Sequence, residues 1–435
     1  MEVQLLGGAR EIGRSAILVD DTLLLDFGMD SGNPPAFPVG DVDPAAVVVS
    51  HGHLDHVGSV PALLSGDSRP SIHWTPPTYD LTMVLARDTL KLHGGSYDCP
   101  FTEAELARVA EVSETHGYRD PFEVAGYEIT FFDAGHVPGS AHVLVDDQGG
   151  RSPNTATDPP STSDQTTSDT DGTKLLYTGD FHTEEQRLLS GTTARPDADV
   201  VLCESTYSDV TRPPRPDIER EFAESLRITV WEGGTVVVPA FGIGRTQEVL
   251  CICEHYDIEC YVDGMGKRVT ELFLREGNRA FLRDPDLLRR ARGNARFVDG
   301  RDGQRERIAE QNTVIVTTSG MLHGGPAMTY VPAVRSHPTN KIALTGYQVE
   351  GTPGRDLLET GSAEIDGRMM PVSAQVEQYD FSAHADRNGL RSFLESYADA
   401  KVLVNHGDRC EGFAAELRED GYDATAPELG ERIVV

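Results

Sequence analysis

Residues 51–56 read His51-Gly52-His53-Leu54-Asp55-His56, which places three imidazoles and one carboxylate within six consecutive residues. The apolar run Ala45–Ser50 precedes them and is predicted to be a strand, so the polar side chains follow a strand end. A helix is predicted to follow near residues 58–64. On an extended backbone His51 and His53 project to the same side. Imidazole and carboxylate groups are ligands that zinc takes in proteins, and this spacing therefore predicts a metal site rather than an ordinary polar loop.

Three further potential ligands lie far from this cluster in the sequence. His136, Asp180 and His406 each occupy a glycine-containing turn directly after a predicted strand. The strands predicted before His136 and His406 are Tyr127–Asp133 and Lys401–Asn405. One such residue alone is usually structural. Polar groups that follow four different strands can meet at one rim of a sheet, and we expect these three to complete the metal site that residues 51–56 begin.

The predicted elements divide the chain into two patterns. Residues 1–206 and 376–435 contain short strands and turns with few helices, whereas residues 207–375 alternate helices and strands at the spacing of a parallel sheet. This predicts an α/β protein in which one domain interrupts another. Residues 147–173 are rich in Ser, Thr, Asp and Pro and have no apolar face, which predicts a disordered acidic surface loop.

The charge is strongly acidic, with 70 Asp and Glu against 38 Lys and Arg and a formal net charge of −32. The acidic residues are spread along the chain between ordinary apolar runs. Such a surface repels itself in dilute buffer, and the repulsion largely disappears at about 1 M salt, where the Debye length is roughly 3 Å. The composition predicts a protein of a salt-loving microbe whose cytoplasm has a very high ionic strength.

The cellular compartment is predicted from what the sequence lacks. The six cysteines are too sparse for a disulfide framework, which indicates a reduced cytoplasm. No apolar run approaches the roughly 18 residues that a membrane-spanning helix needs. The first residues also lack the basic and apolar regions of a signal peptide.

The order of the ligands resembles that of the metallo-β-lactamase superfamily, whose fold is an αββα sandwich. The resemblance implies two zinc ions per chain, with Asp180 bridging them. The first zinc would be held by His51, His53, His136 and Asp180. The second would be held by Asp55, His56, Asp180 and His406. Asp26 matches the early aspartate that supports the metal loop in that superfamily.

An additional α/β segment separates Asp180 from His406, and this arrangement resembles the β-CASP nucleases, in which a parallel-sheet domain is inserted. Residues 204–207, 382–386 and 405–407 resemble the acidic motif A, motif B and motif C of that family. Histidine at motif C accompanies RNA substrates, so His406 favours RNA. A small-molecule hydrolase of the same fold would need only about half of this chain.

Three other segments resemble the archaeal relatives of the cleavage and polyadenylation specificity factor endonuclease. They are residues 242–248, 319–322 and 346–352. Some archaeal members carry N-terminal KH domains and ribonuclease J enzymes carry an additional C-terminal domain; we expect neither here. Whether the chain forms a homodimer or joins an RNA-processing complex stays open at this point.

The resemblance also implies roles for individual residues. Asp55, Glu204 and His384 are assigned to catalysis, with His384 protonating the leaving 3′ oxygen and Glu204 orienting it. Ser382 is expected to contact the scissile phosphate. Gly244 and Arg245 open a predicted helix, where a helix N-terminus and a cation would attract phosphate, although a plain strand-to-helix turn explains the same residues.

The sequence therefore predicts a zinc-dependent ribonuclease that acts as an endonuclease, and 5′–3′ exonuclease activity stays open beside it. One alternative is an inactive or RNA-binding scaffold of a processing complex; such scaffolds lose metal ligands, and none is missing here. The other alternative is a small-ester hydrolase of the same fold, which the inserted segment and motifs A to C disfavour.

We predict that RNA cleavage increases from dilute buffer towards molar KCl. At low salt the negative charge of the protein repels RNA and loosens the fold, whereas a typical nucleic-acid binder loses affinity as salt rises. Initial rates should be measured across a KCl series, with circular dichroism to follow folding. A steady loss of activity in a protein that stays folded throughout would contradict the prediction.

Overall fold

Residues 1–32, 34–96, 98–148 and 172–435 are described by the structure, which is a computed structural model. The loop predicted at 147–173 lies outside the described residues except at its ends. The described chain forms two units. The first contains residues 1–183, 192–211 and 384–435, and the second contains residues 184–191 and 212–383.

The first unit contains two sheets, each with seven strands among the described residues. The strand order in the first sheet is Arg432–Val434, Glu2–Gly7, Ala16–Val19, Leu23–Leu25, Ala46–Val48, Ser71–Trp74 and Ser113–Thr115. The order in the second sheet is Asp423–Thr425, Lys401–Asn405, Val200–Glu204, Lys174–Tyr177, Ala141–Asp146, Tyr127–Asp133 and Phe122–Val124.

Alternating side chains place one core between these two sheets. Leu5 and Ile17 from the first sheet share a buried cluster with Phe131, Tyr177 and Leu202 from the second. The opposite faces of both sheets are also buried, and helices cover them. These helices are Leu54–Val57, Pro76–His93, Glu103–Val112, Arg387–Leu394 and Cys410–Glu419, with 3-10 segments at Val60–Leu64 and Glu395–Tyr397. The layers are therefore helix, sheet, sheet and helix, which confirms the predicted sandwich.

The second unit is built around one parallel sheet. Its strands lie in the order Arg296–Phe297, Cys260–Asp263, Val314–Thr317, Val236–Pro239, Lys341–Leu344 and Gln375–Gln378. Its helices are Arg215–Trp231, Arg245–His255, Gly266–Phe273, Pro285–Asn294, Gln304–Ala309, Ala327–Val334 and Pro353–Thr360, with a 3-10 segment at Glu276–Phe281. An antiparallel hairpin joins Ser362–Ile365 to Arg368–Pro371. Buried clusters lie on both faces of the sheet, which confirms the inserted parallel-sheet domain.

The structure differs from the sequence-based prediction near the first cluster of ligands. A helix was expected at residues 58–64, but the chain forms the short helix Leu54–Val57 followed by the 3-10 segment Val60–Leu64. Pro61 occupies the first turn of that segment, where its missing N–H is tolerated. The helix Pro76–His93 was not predicted, although proline is over-represented at the first positions of helices. No described helix is both long enough and apolar enough to span a membrane.

A buried ionic cluster explains why residues 184–191 belong to the second unit. The Glu248 carboxylate, which has no exposed surface, accepts hydrogen bonds from the backbone N–H groups of Arg187 and Leu188 at 3.0 and 2.7 Å. It also pairs with Arg215 Nη2 at 2.6 Å. Glu219 contacts both Arg187 and Arg215. These bonds attach residues 184–191 to the helix Arg245–His255 of the second unit. The boundaries predicted at residues 206 and 375 did not assign this segment to that unit.

We predict that Glu248→Leu lowers the free energy of unfolding of the second unit by about 3–5 kcal/mol, because Arg215 and two backbone donors lose their buried acceptor. Glu271→Leu is the matched control, since Glu271 pairs with Arg292 at the surface and such pairs contribute below about 1 kcal/mol. Urea-induced unfolding followed by circular dichroism measures both. Equal losses in the two variants would contradict a structural role for the cluster.

Candidate metal centre and active site

Four strands of the first unit bring the predicted ligands to one rim. His51 follows Ala46–Val48, His136 follows Tyr127–Asp133, Asp180 follows Lys174–Tyr177 and His406 follows Lys401–Asn405. The last three of these strands run in the same direction within the second sheet. Side chains that follow their carboxyl ends therefore converge.

The first group of donor atoms consists of His51, His53, His136 and Asp180. His53 Nδ1 lies 3.2 Å from His51 Nε2 and 3.0 Å from His136 Nε2. Asp180 Oδ2 lies 3.6 Å from His51 Nε2 and 3.8 Å from His136 Nε2. The group matches the first predicted ligand set residue for residue.

The second group consists of Asp55, His56, Asp180 and His406. Asp180 Oδ2 lies 3.4 Å from His56 Nε2, and Asp180 Oδ1 lies 3.0 Å from His406 Nδ1. Asp55 Oδ2 lies 3.8 Å from His56 Nε2 and 3.3 Å from His406 Nε2. Asp180 is thus common to both groups, with one carboxylate between four imidazoles.

The chemistry of the first group fits a cation. A hydrogen bond joins two nitrogens, one protonated and one not, so it cannot satisfy three neighbouring ring nitrogens at once. Burial lowers the pKa of His53 to about 4 and also lowers the pKa of His51. Both rings therefore offer a lone pair at neutral pH, which is the form that binds a metal ion.

The negative charge of the carboxylates in the second group favours a bound cation. Burial disfavours the charged form of His56, but the carboxylates of Asp180, Asp55 and Asp26 outweigh it and raise the pKa of His56 to about 10. His56 Nε2 is buried and makes no well-aligned hydrogen bond among the described residues, although Asp180 Oδ2 lies 3.4 Å away. A buried nitrogen without a well-aligned hydrogen bond is costly, and a metal ion at this position would satisfy it and offset the carboxylate charge.

Asp26 fixes the orientation of the His56 ring. Its Oδ2 lies 2.7 Å from His56 Nδ1 and accepts hydrogen bonds from the hydroxyls of Ser50 and Tyr177 at 2.6 and 2.8 Å, while Oδ1 accepts from the Ser50 N–H at 2.7 Å. A proton on His56 Nδ1 directs the lone pair of Nε2 towards the second group. Sequence reasoning found Asp26 but missed Ser50 and Tyr177.

Backbone strain and close packing also shape the centre. Asp26 and His406 adopt positive φ values of 58° and 46°, which are uncommon outside glycine. The His406 N–H donates to the Gly8 carbonyl at 2.7 Å. A Cβ at Gly28 would lie 1.7 Å from the Asp55 carbonyl oxygen, so only glycine lets the Asp26 turn approach the metal loop. Strain of this kind is common where a site requires a fixed geometry.

His384 and Glu204 form a pair beside the metal centre. His384 Nδ1 lies 3.1 Å from Glu204 Oε2 and 4.0 Å from Asp180 Oδ2. Glu204 is buried and also accepts the Phe181 N–H at 2.8 Å, which fixes its carboxylate. Burial disfavours the charged form of His384, but Glu204 and Asp180 outweigh it and raise its pKa. The His384 carbonyl accepts from His182 Nδ1 at 2.9 Å, a contact that the sequence did not indicate.

The predicted phosphate-binding residues belong to the second unit. Gly244 precedes the helix Arg245–His255 with a φ of 77°. Arg245 is buried, and its guanidinium donates to the Phe381 carbonyl and to Gln186 Oε1. Two donor groups of the Arg245 guanidinium are thus engaged within the unit, and a phosphate contact of Gly244 or Arg245 stays a prediction. For Ser382, which is also buried, a phosphate contact stays a prediction.

Models of three protein families match the chain. The metallo-β-lactamase superfamily matches residues 10–229, the β-CASP domain matches residues 246–357, and the Zn-dependent metallo-hydrolase RNA specificity domain matches residues 369–427. The last match includes motifs B and C. Together with the donor groups, these matches identify a hydrolase with a metal cofactor.

Similar proteins cover nearly the whole chain. RNase aCSPSF2 of Saccharolobus solfataricus is 34% identical over 99% of this chain and 85% of its own length. Probable RNase MJ4 of Methanocaldococcus jannaschii is 30% identical over 100% of both chains. The transcription termination factor FttA of Methanosarcina mazei is 28% identical over 94% of this chain and 67% of its own length.

One solved structure of low identity shows the same fold. It is a protein of unknown function from Enterococcus faecalis, with a TM-score of 0.58, 13% identity, and coverage of 100% of this chain and 99% of that one. The ligand order, the inserted sheet and these relatives agree with the resemblance seen in the sequence. The chain belongs to the metallo-β-lactamase superfamily and, within it, to the β-CASP ribonucleases related to the cleavage and polyadenylation specificity factor endonuclease.

Proposed function

We propose that this protein is a two-zinc ribonuclease that hydrolyses RNA phosphodiester bonds as an endonuclease, and 5′–3′ exonuclease activity stays open beside it. The observation that carries the proposal is Asp180, whose carboxylate is shared by two donor groups and lies beside the His384–Glu204 pair. Zinc ions held by these groups would supply Lewis acidity and an activated water.

The residues of the chain account for the remaining steps. Glu204 accepts a hydrogen bond from His384 Nδ1 and favours the protonated ring, so His384 can deliver a proton from Nε2 to the leaving 3′ oxygen. Asp26 keeps His56 oriented while charge changes at the centre. Asp55 contacts His56 and His406 and contributes a further anionic oxygen to the second group.

RNA is the substrate that the relatives support. Two of them are named as RNases, and residues 369–427 match the RNA specificity domain of Zn-dependent metallo-hydrolases. A scaffold without activity would lack ligands, whereas all seven predicted ligands lie in the two donor groups. For this protein, three properties stay predictions. They are the cytoplasmic location, the adaptation to high salt, and membership of a homodimer or an RNA-processing complex.

We predict about two zinc ions per chain in the wild type and loss of both from Asp180→Ala, because both donor groups share this carboxylate. Elemental analysis of the purified proteins measures the zinc content, and RNA cleavage should disappear with it. Asp41→Ala removes an exposed carboxylate of the same unit and should keep both ions. Full zinc occupancy in Asp180→Ala would refute the shared site.

We predict that His384→Ala keeps both zinc ions and binds RNA almost normally, while single-turnover cleavage slows by roughly 10²–10⁴-fold, the usual contribution of general acid catalysis. His406→Ala should instead lose zinc from the second group. Glu204→Gln should keep zinc and lose less activity than His384→Ala. Zinc content, RNA affinity and cleavage rate are needed for all three. If His384→Ala loses zinc as readily as His406→Ala, His384 is a ligand and another residue is the acid.

A further inference from the structure

In α/β proteins a crevice forms outside the carboxyl ends of neighbouring strands whose connections diverge, and the parallel sheet of the second unit has such a pair of strands. Val236–Pro239 and Val314–Thr317 pair in parallel. The helix Arg245–His255, which follows the first strand, contributes to the buried cluster on one face of the sheet. The helix Ala327–Val334, which follows the second strand, contributes to the cluster on the other face. Connections that diverge in this way leave an opening where α/β proteins commonly bind ligands.

Phe241 lies in this opening, directly after the strand Val236–Pro239. It is 37% exposed, although it is a large apolar residue. A Cβ at Gly320 would lie 3.2 Å from its ring, and a Cβ at Gly346 would lie 3.7 Å from it. Gly320 and Gly346 follow the two flanking strands, so the Phe241 ring lies between two loops that each present a glycine to it. Neither loop can cover the ring with a side chain at these positions.

Tyr347 adds a second exposed aromatic group beside Gly346, with an exposed fraction of 48%. The buried Gln348 holds the loops together, because its Nε2 donates to the carbonyls of Gly320 and Gly346, each at 3.2 Å. Gln378 Nε2 donates to the same Gly346 carbonyl at 2.9 Å. These hydrogen bonds hold the loop that carries Tyr347, and the Phe241 carbonyl accepts from the Thr246 hydroxyl at 2.8 Å.

Single exposed apolar residues are ordinary on protein surfaces, and exposure alone indicates nothing. Trp231 is an example, since it is 86% exposed at the end of a helix that leads to the amino end of the sheet. Phe241 and Tyr347 differ from it because they occur together, at the carboxyl ends of adjacent strands, against glycine-containing loops that hydrogen bonds from Gln348 join.

The charge of the protein favours stacking as the means of contact with RNA. Affinity from phosphate contacts falls steeply with salt, and a chain with a formal charge of −32 gains little from such contacts overall. Stacking of bases on aromatic rings depends far less on salt and accepts every base. Bases within a duplex are already stacked on each other, so exposed rings select unpaired nucleotides.

We propose that Phe241 and Tyr347 form a base-stacking site for single-stranded RNA on the second unit. The inference rests on the proposed ribonuclease function and specifies the form of the substrate. Phe241 occupies the crevice, and Tyr347 extends the aromatic surface along the adjoining loop. Hydrogen bonds from Gln348 hold the two loops together.

The test compares Phe241→Leu and Tyr347→Leu with Phe241→Tyr and Tyr347→Phe, which retain a ring. Trp231→Leu is the matched control for loss of an exposed aromatic elsewhere on the same unit. Zinc-loaded proteins are titrated with three probes: an unstructured oligoadenylate, the same oligomer with abasic sugars, and a blunt RNA duplex. Hydrolysis of bis(4-nitrophenyl) phosphate reports on the metal centre without requiring an RNA strand.

Each leucine variant should lose about tenfold in affinity for the oligoadenylate, in dilute and in molar KCl alike, while hydrolysis of the small diester stays unchanged. The ring-retaining variants and Trp231→Leu should bind as the wild type does, and the abasic oligomer should bind all proteins equally weakly. Leucine variants with wild-type affinity, or a loss that is the same for the abasic oligomer, would overturn the stacking site alone. A zinc-loaded wild type that hydrolyses the small diester but neither binds nor cuts RNA would overturn both proposals.

Discussion

The buried carboxylate of Asp180 is the constraint on which the rest of the first unit depends. Removing a charge from water costs several kcal/mol, so Asp180 requires compensating partners at fixed positions. Imidazoles from three separate segments of the chain provide them, at 3.0–3.8 Å from the carboxylate. Two sheets that end at a common rim can deliver these groups, because each strand places one turn there and the core behind it is closely packed.

Much of this arrangement could be predicted from the sequence because the information is local. The cluster at residues 51–56 is recognisable by spacing alone, and His136, Asp180 and His406 each follow an apolar run that predicts a strand. The αββα layers and the inserted parallel sheet followed from the resemblance that these ligands carry. The strands Tyr127–Asp133 and Lys401–Asn405 have the predicted bounds.

What the sequence did not reveal depends on contacts between distant residues. Tyr177 donates to Asp26 across 151 positions, and nothing in its neighbourhood distinguishes it from an ordinary strand residue. The attachment of residues 184–191 to the second unit likewise depends on Glu248, some 60 positions away. The hydrogen bonds of Arg245 are of the same kind, because its partners Gln186 and Phe381 lie 59 and 136 positions away.

Because the second unit interrupts the first, the two groups of metal donors are completed at different times during translation. A ribosome delivers residues in order, so His51, His53, His136 and Asp180 are all available once residue 180 has emerged. The second group lacks His406 until the whole of residues 212–383 has followed. A nascent chain therefore carries one complete set of donors throughout the production of the inserted sheet, and the second set is completed only near the end of translation.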